Sequence, residues 1–190
     1  MKSIVILLLL LVTFANGQSY GFGLGSTNPL ASATSSYIFG ISLDGSSGTI
    51  DIQSGAQVSI TFPTDYTNRL TPGSTTCNLL SWGDGSQTPF PTPSCSLTSS
   101  TATIDSLFTQ AYTITSYFDI TIQIDNIKNP IASGNTGNFI AYLPTATGIA
   151  TITATGIGIS VASMTCSATV TPTTVNSNGA VNIQFNTPEF

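Results

Sequence analysis

Apolar residues alternate with polar ones along most of this chain. Tyr37, Phe39, Ile41 and Leu43 are separated by single residues. So are Val58, Ile60 and Phe62, and again Phe118, Ile120, Ile122 and Ile124. A period of two marks a strand with one buried face. In the longest run, Asp119, Thr121, Gln123 and Asp125 take the intervening positions, so that strand has one wet face. The pattern predicts strands over residues 37–43, 49–53, 58–62, 75–82, 94–97, 101–104, 117–127 and 138–143, then 168–171 and 180–186. Residues 149–161, thick with Gly, Ala and Thr, read as two strands or one bent one. Punctuation agrees: Asp44-Gly45, Ser54-Gly55 and Gly83-Asp84-Gly85-Ser86 are turn signals. Pro63 ends the ladder after Phe62, because it has no N–H to donate. No helical period of useful length follows residue 17, so the expected fold class is all-β, an antiparallel β-sandwich.

The two ends depart from this pattern. Lys2, the apolar run 4–12 and the small residues Ala15 and Gly17 read as a secretory signal, with cleavage expected before Gln18. The apolar run is too short for a membrane anchor. Residues 18–36 form an N-terminal arm or a first strand, in which Tyr20, Phe22 and Leu24 alternate with glycines. Residues 37–165 hold the sandwich, and residues 166–190 form a C-terminal strand extension. That extension echoes the interior: IQSGAQVSITFPT (52–64) aligns with VNSNGAVNIQFNT (175–187) with one small gap each way. Either the last strand closes its own sandwich, or it begins a second module that it does not complete.

Composition sharpens the place rather than the chemistry. Only 6% of residues are charged, against about a quarter in ordinary globular chains. Ser and Thr make up nearly a third and cover the polar face instead, which suits O-glycosylation or burial in an assembly. No Asn-x-Ser/Thr sequon occurs. The net charge of −5 and the lack of a basic cluster argue against nucleic acid. No membrane insertion is expected once the signal is removed. Of the three cysteines, Cys77 and Cys95 flank a Gly/Pro-rich loop and are the expected disulfide pair, leaving Cys166 buried or bridging to another chain.

The order SSYIFGISL, a Gly turn, VSITFPTDY, a Cys and then YFDITIQIDNIKNP resembles the Ser/Thr-rich immunoglobulin-like modules of secreted surface proteins of ciliates and other protists. The resemblance spans residues 37–161. It implies an immunoglobulin-like sandwich, an extracellular structural role and no catalytic residues.

The residues themselves give little to an enzyme. There is no His, so the commonest general base is missing. Asp119 and Asp125 stand about 20 Å apart by strand rise, too far for paired carboxylate chemistry. Asp84, or Asp44 with Asp51, lacks the dense carboxylate loop that calcium needs, so no metal and no cofactor are expected. The Thr-rich stretch 145–155 is explained by strand propensity rather than by ice binding. Trp82, beside a Gly-rich turn, is the candidate glycan platform, weighed against a place in the core. The expected function is an extracellular subunit that assembles with its own copies into a filament or coat by strand exchange. Val181, Ile183 and Phe185 are the donor candidates, and Tyr20, Phe22 and Leu24 the second candidate arm. The alternative is a monomeric adhesion or carbohydrate-binding module using the loops around Trp82.

Overall fold

The computed structural model describes residues 8–13, 18–71, 76–83, 91–161, 165–171 and 180–186, the first and the last two of these by their backbone alone. The strands are β1 (Leu8–Thr13), β2 (Ser19–Ser26), β3 (Thr34–Asp44), β4 (Ile50–Ile52) and β5 (Val58–Thr61). Next come β6 (Cys77–Gly83), β7 (Ser94–Leu97), β8 (Thr101–Asp105), β9 (Tyr112–Ile114) and β10 (Tyr117–Lys128). The chain continues with β11 (Gly134–Asn135), β12 (Phe139–Thr145), β13 (Gly148–Ala154), β14 (Gly158–Ile159), β15 (Thr165–Thr171) and β16 (Ala180–Asn186).

Two five-stranded antiparallel sheets make the sandwich. One has the order β1-β2-β3-β10-β6 and the other β13-β12-β5-β8-β7. The alternating residues point where the pattern predicts. Tyr37, Phe39, Ile41 and Leu43 of β3 meet Val58 and Ile60 of β5, Phe62, and Phe139 and Leu143 of β12 in one buried core. Each of these side chains stabilises by roughly 1.5–3 kcal/mol when fully buried. The residues between them keep the wet face. Asp119 accepts hydrogen bonds from the hydroxyls of Ser42, Ser81 and Thr121, and Asp125 accepts from Thr76, Asn78 and Gln123. Both carboxylates are thereby engaged in cross-strand ladders.

β10 carries one irregularity. Its register against β3 shifts between Ile124 and Ile127, where Asn126 has φ 58°. Asn tolerates the left-handed conformation better than most residues. The bulge lets Ile124 and Ile127, three apart, both reach the core.

The far edges of the two sheets are stapled. Cys77 on β6 and Cys95 on β7 form the expected disulfide, with Cα atoms 5.9 Å apart. Closing the loop between them stabilises by roughly 3 kcal/mol in the chain-entropy account. No helix among the described residues is long and apolar enough to cross a membrane.

Residues 8–13, read as part of a signal peptide, form an edge strand of the first sheet. Residues 149–161, read as two strands or one bent one, are two strands, β13 and β14, with β14 paired to β11. After Pro63 the chain makes a single 3-10 turn, Thr64–Tyr66, that buries Tyr66.

Candidate assembly edge

The sandwich has two seams where its sheets meet. The β6/β7 seam is closed covalently. The other runs along β2 and β13 and carries no such staple.

β2 is built on a repeat of large and absent side chains. Tyr20, Phe22 and Leu24 face the core and are 4%, 0% and 6% exposed, with Gly21, Gly23 and Gly25 between them. On one side β2 pairs with β3, from Ser19↔Asp44 to Ser26↔Tyr37. On the other it pairs with β1, from Leu8↔Leu24 to Thr13↔Ser19. The stretch 18–36 thus opens with a first strand. Tyr20, Phe22 and Leu24 are anchors of their own core, which counts against their serving as a donor arm.

β13 is an edge strand of the second sheet and lies against β2 and β1. Its Ile149 is 68% exposed. Where the β12–β13 turn approaches the start of β2, a cleft of about 230 Å³ opens between the sheets. Gln18, Tyr20, Thr145, Ile149 and Ala150 are among its walls. The Tyr20 hydroxyl donates to Gln18 Oε1 at 3.1 Å, and burial pushes its pKa up. Thr145 Oγ1 donates to the Gly148 carbonyl at 3.0 Å and holds the turn. No charged side chain stands among these residues, so the cleft offers shape and apolar surface rather than a field.

At the other end of the chain, β15 and β16 form a sheet of two strands. Their register sets Val181 opposite Val170, Ile183 opposite Ala168 and Phe185 opposite Cys166. Residues directly opposite share a face. One face of this ribbon therefore carries the six residues just named. The other carries Asn182, Gln184, Thr169 and Ser167. Val181, Ile183 and Phe185 stand at alternate positions of β16, and among the described residues neither strand pairs with a strand of the sandwich.

Trp82 takes the core place that was weighed against a glycan platform. It is 1% exposed and packs against Phe108, Tyr112 and Phe118, with ring centroids 5.1, 5.8 and 5.1 Å away. Its ring is core, and no face of it is open to a sugar. Asp84, of the calcium candidates, lies outside the described residues. Asp44 and Asp51 are occupied by Ser46 and Thr113. Among the described residues no three His, Cys, Asp or Glu side chains gather as a metal site would require.

A second network escaped sequence reasoning. The Tyr37 hydroxyl lies 2.7 Å from that of Tyr66 and donates to Asn129 Oδ1 at 2.6 Å. Asn129 Nδ2 donates to the carbonyls of Asn28 and Leu30 at 2.6 and 2.7 Å. Burial pushes the Tyr37 pKa up to about 12, and burial with the neighbouring Tyr37 raises that of Tyr66 further. These are neutral groups holding a buried corner together. The only sequence signal was Asn129-Pro130, which follows the longest alternating run.

No protein-family model matches this chain, and comparison with curated proteins finds no significant relative.

Proposed function

We propose that this protein is a secreted structural subunit that assembles head to tail into an extracellular filament or surface coat by exchange of its C-terminal strand. The observation that carries this is the β15–β16 ribbon: two strands whose register sets Val181, Ile183 and Phe185 opposite Val170, Ala168 and Cys166, and which pair with no strand of the sandwich among the described residues. A lone two-stranded ribbon is marginally stable in water and needs a third strand or a packing partner. A neighbouring copy supplies one by β-augmentation, and such head-to-tail contacts propagate unless they close into a ring.

The N-terminal signal pattern and the Cys77–Cys95 disulfide support an oxidising, extracellular destination. The Ser/Thr-rich, charge-poor surface suits glycosylation or burial between copies. The likeness to protist immunoglobulin-like surface modules points the same way. The chain offers no histidine and engages its best-placed carboxylates in ladders, which supports a binding and building role over a catalytic one.

Negative-stain electron microscopy and light scattering of the secreted protein test the proposal. Filaments or large assemblies are expected from the native sequence, and dispersed particles from Ile183→Asp, which puts a charge in the apolar stripe. A native protein that stays a monodisperse monomer at high concentration overturns it.

A further inference from the structure

We infer that the acceptor for the exchanged strand is the outer edge of β2, held in the full chain by β1 and opened when residues 1–17 are removed. This inference rests on the assembly reading above and names its joint.

The edge accepts a strand, because one is already there. β1 lies antiparallel along β2 for six register pairs, and its residues Leu8, Leu10 and Val12 stand opposite the core anchors Leu24, Phe22 and Tyr20. Cleavage before Gln18 takes that strand away. It leaves the outer backbone N–H and C=O groups of Ser19–Leu24 unpaired, beside a cleft walled by Tyr20, Ile149 and Ala150. A bare edge of this kind recruits a strand.

The occupant is β16 of a second copy. It is seven residues long and places Val181, Ile183 and Phe185 at the spacing of Leu8, Leu10 and Val12. At the positions of Leu9 and Leu11, which stand opposite Gly23 and Gly21, β16 brings Asn182 and Gln184. In the register of β1, Val181 stands across from Leu24, Ile183 from Phe22, Phe185 from Tyr20 and Asn186 from Ser19. The largest residue of β16 thus falls at the position beside the cleft. Among the described residues β16 pairs with β15 alone, so no described pairing has to break. The ribbon adds whole, and its apolar face continues the core face of the acceptor sheet. Neither β2 nor β16 contains a charged residue, so neither strand repels the other.

Cysteine trapping tests the register in the full-length precursor, secreted and with its mature N-terminus read by mass spectrometry. Cys166→Ala is the common background. Ser19→Cys with Asn186→Cys places two thiols directly opposite in the inferred pairing, within disulfide reach. Mild oxidation is expected to give a ladder of covalent multimers that collapses on reduction. Ser19→Cys with Asn182→Cys puts the thiols four positions apart along the strand and is expected to give no ladder. Filaments with a ladder from neither pair overturn the β2 acceptor while leaving the assembly reading standing. Monomers by microscopy and no ladder overturn both. A single covalent dimer band in place of a ladder also overturns the inference, since it means that the contact closes between two copies instead of propagating head to tail.

Discussion

Tyr37 is the residue on which most of the buried polar structure converges. Its ring packs edge-on against Tyr66 at 5.7 Å, while its hydroxyl bridges Tyr66 and Asn129. Tyr37→Phe keeps the ring and deletes the bridge, leaving Asn129 Oδ1 buried without its partner. An unsatisfied buried acceptor costs about 1–3 kcal/mol. Urea unfolding of Tyr37→Phe is expected to show a loss in that range, and a loss below about 0.5 kcal/mol would mean that the bridge contributes little. The titrating residues set a second expectation. Partial burial raises the Asp125 pKa, but donors from Ser36, Gln123, Thr76 and Asn78 outweigh it and hold the group below the usual carboxylate value. The Asp44 pKa is lowered by the backbone N–H and hydroxyl of Ser46. A depressed folded pKa contributes stability above the unfolded value, near 4, that is lost as pH falls through the folded value. Tyr37 and Tyr66 are raised, so their contribution is present below about pH 10 and fades as pH rises through the folded value. No histidine titrates between them. The melting temperature is therefore expected to be flat from about pH 5 to pH 9 and to fall on both sides. A slope near pH 6.5 would contradict this account.

Elements tell how far a period of two can be read. The strands with three or more alternating anchors, β3, β5 extended by Phe62, β10 and β12, were legible because each must bury one face. β9 and β11 were not, since so few residues carry little period, whereas the equally short β4 was read from Ile50 and Ile52 closed off by the Ser54-Gly55 turn signal. Asp44-Gly45 read as a turn, and the Asx contact from Asp44 to the Ser46 N–H at 2.9 Å fits that reading. The glycine itself serves a different end. A Cβ there would come within 2.0 Å of the Ile114 carbonyl oxygen, so β9 can approach only a bare backbone. Gly45→Ala is expected to push β9 away and cost about 1–3 kcal/mol, as overpacking does. Gly55 is the contrasting case, with φ 77° and open space around it, so Gly55→Asn should cost far less. Equal losses from the two substitutions, measured by thermal melts, would show that conformation rather than contact governs Gly45. The candidate edge was half legible. The stripe of Val181, Ile183 and Phe185 was visible as a pattern. The β1–β2 pairing was hidden, because these strands lie in residues whose composition speaks first of a signal peptide and of a glycine-rich arm.

At the scale of the whole molecule, the sandwich is asymmetric: one seam is stapled by Cys77–Cys95, and the other is lined by uncharged residues. This asymmetry decides how assembly should respond to salt. Coulombic joints weaken as the screening length shrinks from about 10 Å at 0.1 M to about 3 Å at 1 M. Here the joining strands carry no charge, while each chain carries a net charge of −5. Salt therefore has no attraction to screen at the joint, and it relieves repulsion between copies. Assembly followed by sedimentation is expected to hold or increase from about 0.1 M to 1 M sodium chloride. Dissolution at high salt would place the joint on charged loops instead of on β2 and β16.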